Sequence, residues 1–224
     1  MDVILFGATG MVGQGVLREC LLDPGVGRVL SIGRTPSGAP APSPAPQKLR
    51  QLIRPNLFDY SDIEADLTGY DACFFTLGVS SAGMSEADYR RITYDLTLAA
   101  ATTLAKLNPS MTFVYVSGEG TDSTEKGRTM WARVKGATEN ALMRLPFRGA
   151  YMFRPGFIQP MHGAVSKTRS YRVFYKIFGP VIPLLRRIAP RWVTTTEQIG
   201  RAMLRVARDG APSQILNTAA INRL

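Results

Sequence analysis

The sequence predicts an α/β protein built on a doubly wound parallel sheet. Apolar runs of strand character alternate with helical patterns, a glycine-rich turn joins the first strand to the first helix, and the 224 residues fit one domain. Hydrophobic residues make up 45% of the chain and charged residues 20%, which excludes a disordered, collagen-like or disulfide-stapled protein. Residues 1–224 are therefore expected to form a single domain.

The first βαβ unit begins at the amino terminus. Residues 3–6 predict a strand, the apolar periodicity of residues 11–22 predicts a helix, and residues 28–32 predict a second strand. Asp23-Pro24-Gly25 ends the helix. Because such crossovers are right-handed, the two strands are expected to be parallel members of one sheet.

The later elements continue the alternation and predict a sheet of order 3-2-1-4-5-6. Further strands are predicted at residues 49–53, 72–76, 112–117 and 150–153. Further helices are predicted at residues 85–107, 126–144 and 194–208. Ser85 and Asp88 form a capping pair at the start of the second helix, and Asn108-Pro109 ends it.

The net charge of +10 is concentrated late in the chain. Residues 140–196 contain ten Lys and Arg and no Asp or Glu, and residues 167–191 interleave these cations with Tyr, Phe, Ile and Leu. Three interpretations of residues 167–191 stay open: a lid over the substrate site, contact with an anionic membrane surface, or nucleic-acid binding. Nucleic acid is disfavoured because no recognised module is present. Residues 157–195 are expected to form a small carboxy-terminal lid or substrate region.

The cysteines and the histidine exclude several kinds of site. Cys20 and Cys73 lie far apart in a helix and a buried strand, so they predict no disulfide, no metal site, and a reducing, cytoplasmic compartment. His162 is the single histidine, too few for a zinc site or a histidine-centred triad; it is either substrate-facing or structural. Neither a secretory leader nor an apolar run of about 20 residues is found, so no membrane span is expected.

A proline-rich stretch at residues 36–46 separates the second and third predicted strands. It is poor in apolar side chains that could pack in a core, and its prolines favour extended polyproline geometry. We interpret it as an exposed connector, with a proline ligand for a partner domain as the alternative.

Gly7, Gly10 and Gly13 form a GxxGxxG pattern between the first strand and the first helix. Missing side chains permit a tight turn there and let backbone N–H groups approach a pyrophosphate. The alternative is a sharp turn with close helix–sheet packing alone, but the βαβ frame favours a dinucleotide site. The same turn supplies three further expected cofactor contacts: Thr9, Met11 and Val12.

The end of the second strand bears on the choice of dinucleotide. Folds that prefer NAD place an acidic residue there to hold the ribose 2′-hydroxyl, whereas this sequence reads Ser31-Ile32-Gly33-Arg34. An arginine suits the 2′-phosphate of NADP, so NADP(H) is the predicted cofactor. A solvated surface arginine is the alternative.

Short motifs follow one another through nearly the whole chain: GATGMVG at 7–13, SIGR at 31–34, LFD at 57–59, FFTLG at 74–78, VSG at 116–118, Lys135-Gly136 and FRPG at 153–156. In order and spacing they resemble the atypical short-chain dehydrogenases/reductases, which are NAD-dependent epimerase/dehydratase-like proteins, and within them the Tat-interacting-protein-like oxidoreductases. The resemblance implies an NADP-binding Rossmann domain. It places Asp59 beside the adenine, Gly78 beside the adenosine ribose, and Pro155 and Gly156 beside the nicotinamide.

The resemblance also implies a catalytic serine on the fifth strand and a Tyr-x-x-x-Lys pair on the next helix. In such enzymes the lysine holds the nicotinamide ribose and lowers the tyrosine pKa, the tyrosine exchanges the substrate proton, and the serine orients the carbonyl. Ser117 and Lys135 match this pattern. Trp131 occupies the tyrosine position, and its indole N–H cannot serve as an acid near neutral pH.

Two questions about the tryptophan stay open. Trp131 either forms an aromatic wall over the nicotinamide or fills the core. A substitute acid would come from Tyr89, Tyr94 or Tyr115.

The sequence therefore predicts an NADP(H)-binding oxidoreductase that acts on an unidentified small molecule at a non-standard active site. The alternative is a non-catalytic, dinucleotide-sensing regulator or scaffold. Ser117 and Lys135 favour the enzyme, whereas Trp131 favours the regulator. By family analogy, helices 85–107 and 126–144 predict a homodimer.

Overall fold

A computed structural model describes residues 1–38, 45–164 and 191–224. In these residues seven parallel strands form one sheet of order β3-β2-β1-β4-β5-β6-β9, and β7 and β8 form a separate parallel pair. The strands are β1 Val3–Phe6, β2 Val29–Gly33, β3 Leu49–Ile53, β4 Ala72–Phe75, β5 Thr112–Val116, β6 Gly149–Arg154, β7 Phe157–Gln159, β8 Val193–Thr195 and β9 Ile215–Asn217. The predicted order 3-2-1-4-5-6 is confirmed, and β9 extends the sheet beyond it.

Helices cover both faces of the sheet. In the described residues they are α1 Met11–Leu22, α2 Glu64–Leu67, α3 Glu86–Arg90, α4 Leu96–Leu107, α5 Met130–Met143, α6 Thr196–Asp209 and α7 Thr218–Ile221. Short 3-10 turns occupy Pro46–Lys48 and Ser61–Ile63.

The core has two apolar layers, one on each face of the sheet. Val3 and Leu5 of β1 lie in the layer that contains α1 and α6, whereas Ile4 and Phe6 lie in the layer that contains α4. All four side chains are fully buried, as expected for a parallel strand covered on both faces. Burial of each such side chain contributes about 1.5–3 kcal/mol, so the covered sheet is a rigid support for the loops at its ends.

The predicted helix 85–107 is interrupted by a π-helical turn at Arg91–Asp95. Its predicted cap is present: the Ser85 hydroxyl accepts a hydrogen bond from the Asp88 backbone N–H at 3.1 Å. The predicted helix 126–144 begins later, at Met130. The Asp122 carboxylate accepts the backbone N–H of Thr124 at 3.0 Å and of Gly127 at 2.6 Å, and these bonds hold the preceding residues in a loop.

The predicted lid or substrate region, residues 157–195, is described only at its two ends. β7 pairs with β8 in register, with Ile158 opposite Thr194. Residues 165–190 and 39–44 lie outside the described residues, so most of the basic segment 167–191 and the middle of the proline-rich stretch lie outside them too. No helix in the described part of the chain is long and apolar enough to cross a membrane.

Candidate dinucleotide and substrate site

The predicted site residues lie at one edge of the sheet. Each follows the carboxyl end of a strand: Gly7 after β1, Arg34 after β2, Asp59 in the loop after β3, Gly78 after β4, Ser117 after β5, and Pro155 after β6. Because these strands are all parallel, their carboxyl ends share this edge, which we call the carboxyl edge. In open α/β sheets ligands bind at this edge.

The glycines form an open cradle at the start of α1. Gly7 has φ +83°, and a Cβ there would lie 2.6 Å from the backbone nitrogen of Leu77; a Cβ on Gly13 would overlap the carbonyl of Gly7. Gly10 is the N-cap of α1 and, having no side chain, leaves the first amides of the helix uncapped. Thr9, Met11 and Val12 are half-buried beside them. These uncapped amides fit the pyrophosphate of a dinucleotide.

The predicted adenosine contacts have different surroundings. Arg34 is exposed and forms no ion pair with another described residue. Asp59 accepts the backbone N–H of Ser61 at 3.0 Å, and hydrogen bonds from Ser61 hold the pKa of its carboxyl below the usual value. Gly78 is exposed, and a Cβ there would meet no other atom, so packing among the described residues does not require glycine at this position.

Ser117 belongs to a buried polar network. Its hydroxyl donates to the Glu139 carboxylate and lies 3.1 Å from the Phe153 carbonyl oxygen. Glu139 is 0% exposed, and its carboxylate accepts hydrogen bonds from two nitrogens of the Arg154 guanidinium: Nε, which lies 3.0 Å from Oε1, and Nη2. Arg154 also donates to the Ser123 hydroxyl at 2.5 Å. The network ties β5, α5 and β6 together under the carboxyl edge.

Lys135 lies beside this network on α5. Its Nζ donates to the Ser117 backbone carbonyl at 2.5 Å and lies 5.8 Å from the ring centroid of Tyr115. Burial lowers the pKa of Lys135 to about 8, against the opposing effect of the Glu139 carboxylate. The ammonium group is therefore held beside the Ser117 backbone, directly after β5.

The aromatic residues near Lys135 differ in their access to solvent. Trp131 is half-buried, and a Cβ on Gly120 would lie 3.4 Å from its indole ring, so the ring covers the loop after β5. Tyr115 and Tyr89 are each 1% exposed, and burial raises the pKa of Tyr115. Tyr94 is half-buried, with the Arg90 guanidinium 4.0 Å above its ring.

The FRPG motif joins the main sheet to the smaller one. The Pro155 carbonyl accepts the Glu119 backbone N–H at 2.9 Å, and the Gly156 N–H donates to the Thr218 hydroxyl at 2.8 Å. These bonds fix the loops that border the predicted nicotinamide position.

His162 lies beyond β7 in a left-handed backbone conformation, with φ +53°. Its Nε2 lies 2.6 Å from the Glu197 carboxylate at the start of α6. Glu197 also pairs with Arg201 at 2.7 Å. The histidine thus joins the segment after β7 to α6.

Sequence reasoning missed Glu139 and Arg154. One signal for Glu139 was available: it lies four residues after Lys135 on the same face of a helix, among small and apolar residues that are buried. An acid on a buried face requires a partner, and Arg154 in the FRPG motif supplies it.

Solved structures share the fold. The enzyme WbmF from Bordetella bronchiseptica in complex with NAD+ superposes with a TM-score of 0.67 at 16% identity, covering 97% of this chain and 72% of that chain. Vestitone reductase from alfalfa superposes with a TM-score of 0.69 at 15% identity, covering 96% and 76%. The fold is thus a Rossmann fold, as predicted. Membership of the short-chain dehydrogenase/reductase superfamily and of its Tat-interacting-protein-like branch stays a prediction.

Curated relatives identify the family. The protein fmp52-1, mitochondrial, of Aspergillus oryzae is 30% identical over 175 residues, 73% of this chain and 72% of its own length. Protein fmp52, mitochondrial, of Emericella nidulans is 29% identical over 207 residues, 90% of this chain and 84% of its own length. The chain belongs to the family of these fmp52 proteins. No protein-family model matches it.

The predicted cytoplasmic localisation is wrong, because these relatives are named as mitochondrial proteins. The prediction rested on two free, buried cysteines. Two free cysteines indicate that no disulfide forms between them, but they do not distinguish between compartments that keep thiols reduced.

Proposed function

We propose that this protein is an NADP(H)-dependent oxidoreductase that reduces or oxidises a small molecule at the carboxyl edge. The observation that carries the proposal is the uncapped start of α1, where Gly7, Gly10 and Gly13 leave room for a pyrophosphate. The hydride chemistry would come from the nicotinamide of the bound cofactor.

Individual residues have defined roles in this proposal. Arg34 pairs with the 2′-phosphate, Asp59 and Gly78 border the adenosine, and Pro155 and Gly156 border the nicotinamide. The exposure of Arg34 supports its role, because no described carboxylate competes for the guanidinium. Lys135 holds the nicotinamide ribose, and the half-buried ring of Trp131 forms one wall of the site.

Calorimetric titration with NADPH and NADH tests the proposal. A charge-assisted contact to the 2′-phosphate contributes about 1.5–3 kcal/mol, so NADPH should bind about 10-fold to 150-fold more tightly than NADH. Turnover of NADPH with a panel of aldehydes and ketones then tests the reaction. Absence of dinucleotide binding in folded protein would overturn the proposal.

A non-catalytic dinucleotide sensor is the second proposal, and one observation favours it. The Ser117 hydroxyl donates its proton to a hydrogen bond with Glu139, and Trp131 has no proton that titrates near neutral pH. Two of the three positions that are catalytic in the family, the serine and the tyrosine position, are therefore not available for proton transfer in this arrangement. A sensor would bind NADPH as above but oxidise none of it with any aldehyde or ketone of the panel.

We also propose that the protein is mitochondrial, like the named relatives, and contacts an anionic membrane surface there. Phe157 and Trp192 lie side by side, the Phe157 N–H donating to the Trp192 carbonyl at 3.0 Å, and their side chains are 54% and 55% exposed. Exposed aromatic residues next to a cationic sequence are typical of membrane interfaces. The ten basic residues of segment 140–196 supply those cations.

A further inference from the structure

Reduction of a carbonyl at the carboxyl edge needs a proton as well as a hydride, and the usual donor is missing. The indole of Trp131 has no acidic proton near neutral pH. The Ser117 hydroxyl donates to Glu139, and Tyr115 and Tyr89 are buried in the core. Tyr94 lines a cavity with Asp59, on the predicted adenosine side of the site, and the Arg90 guanidinium covers its ring. Under the proposed function, another group must therefore supply the proton.

Lys135 has both the position and the free donors. Its Nζ is fixed by the bond of 2.5 Å to the Ser117 carbonyl, directly after β5. An ammonium group carries three protons, so two remain when one is donated to this carbonyl. The residue as a whole is half-buried, so it is not sealed from solvent in the way that Tyr115 is.

The charged and titratable groups around Lys135 come from every element packed against it. Glu139 lies one turn further along α5, and Arg154 of β6 pairs with it. Tyr115 of β5 faces the ammonium, and Tyr89 of α3 interacts electrostatically with Tyr115. Burial outweighs the opposing attraction of the Glu139 carboxylate and brings the pKa of Lys135 down to about 8.

We propose that Lys135 is the catalytic acid of this site and delivers the proton to the carbonyl oxygen of the substrate. The carbonyl carbon accepts a hydride, with its two electrons, from C4 of a reduced nicotinamide dinucleotide. The π bond of the carbonyl breaks as its oxygen takes the proton from Nζ. The products are an alcohol, the oxidised dinucleotide and a neutral lysine amine, which regains a proton from water.

Glu139 is a positioning residue in this scheme. Its carboxylate holds Ser117, whose carbonyl in turn holds Lys135, and its negative charge favours the ammonium form. Loss of that charge should therefore lower the pKa of Lys135 further, which a purely structural role would not do.

The first test measures Lys135 without turnover. Competitive labelling of the folded protein with trace acetic anhydride over a series of pH values, read by mass spectrometry, gives the titration midpoint of each lysine. Lys135 should have a midpoint near pH 8, well below that of the exposed internal reference Lys126. In Glu139→Gln the midpoint should be lower still; if that variant does not fold, the wild-type curve decides. Equal midpoints for Lys135 and Lys126 would overturn the proposal.

The second test separates proton donation from cofactor binding. Lys135→Arg keeps a cation for the ribose but cannot release a proton near neutral pH. With NADPH at saturating concentration, checked by titration of the variant, it should reduce nitrobenzaldehyde about 10²-fold to 10⁴-fold more slowly. Added propylamine should restore part of the rate in Lys135→Ala. Lys126→Arg, the matched control, should behave as wild type.

Failures of the two proposals are distinguishable. If folded protein does not bind NADPH, the proposed function is wrong, whatever the titration midpoint of the Lys135 amine. Wild-type rates in Lys135→Arg, with NADPH bound, leave the oxidoreductase proposal standing and remove Lys135 as its acid. In the wild type the rate of reduction should fall as pH rises through about 8, because the ammonium is lost.

Discussion

The hydroxyl of Ser117 donates a hydrogen bond to the carboxylate of Glu139, and Glu139 is fully buried. A hydroxyl has a single proton, so Ser117 in this arrangement cannot also donate to a substrate carbonyl. The serine can orient a substrate only if it turns away from Glu139. Ser117 therefore has a structural role in holding the loop after β5, and this role can be tested separately from the substrate-orienting role that the family resemblance implies.

The Ser117→Ala variant should lower the free energy of unfolding by about 1–3 kcal/mol, because a buried carboxylate loses one of its donors. Urea denaturation followed by circular dichroism measures the loss. The exposed Ser110→Ala is the matched control and should stay within about 0.5 kcal/mol of wild type. A loss for Ser117→Ala no larger than for the control, together with loss of activity, would show instead that this hydroxyl faces the substrate.

Substitution by alanine at Gly13 and at Gly78 should affect the stability of the protein differently. Gly13→Ala places a Cβ against the Gly7 carbonyl, so it should destabilise the protein by about 1–3 kcal/mol and abolish NADPH binding. Gly78→Ala points into open space and should leave stability unchanged. Thermal unfolding and NADPH titration of both variants check this. If Gly13→Ala is as stable as wild type and binds NADPH equally well, the glycine turn is not the pyrophosphate site.

Substitution of Arg34 should change the choice of cofactor. Arg34→Asp replaces an attraction to the 2′-phosphate by a repulsion, so affinity for NADPH should fall about 10-fold or more while affinity for NADH is kept. Titration calorimetry measures both. Arg144→Asp, the same charge change at the exposed C-cap of α5, is the control. Equal affinities of the wild type for NADPH and NADH would remove the assignment of Arg34.

The pair of His162 and Glu197 should make stability depend on pH. A hydrogen bond from His162, aided by Arg201 and Arg18, holds the pKa of Glu197 below its ordinary value of 4.5. A depressed carboxyl pKa contributes stability above that ordinary value, and the contribution is lost as pH falls through the lowered pKa. Glu197→Gln should therefore be less stable than wild type by about 0.5–1 kcal/mol at neutral pH, and the difference should shrink in acid.

Urea unfolding of both proteins between neutral and acidic pH measures that difference. Glu119→Gln, at an exposed position, is the matched control. If the free energies of unfolding of Glu197→Gln and wild type differ by the same amount at every pH, the proposed contribution of the Glu197 charge is wrong.

Membrane contact should be weak and sensitive to salt. Cations near an anionic surface contribute on the order of 1 kcal/mol each, and a Debye length of about 8 Å at physiological ionic strength screens them. The protein should sediment with anionic vesicles at low salt, less at high salt, and not with neutral vesicles. The double variant Arg186→Glu and Arg187→Glu should bind less. Protein that stays in the supernatant at low salt would exclude this contact.

Local patterns in the sequence were enough for most of the fold. The buried run of β1, the tight turn from Gly7 to Gly10 and the Ser85 cap are strong local signals, and each is found as predicted. Strand order also followed, because right-handed crossovers leave few arrangements for alternating strands and helices. The short strands β7, β8 and β9 were missed, since three residues carry too little periodicity to be recognised.

The sequence by itself determined the Rossmann frame and the residues that meet at the carboxyl edge, because these follow from strand ends and turn chemistry. Only the tertiary structure decided which way Ser117 points, that Tyr115 is sealed in the core, and that Glu139 meets Arg154 across 15 residues of chain. Those outcomes depend on contacts between β5, α5 and β6, and local sequence patterns carry no information about the partner that a buried polar group finds.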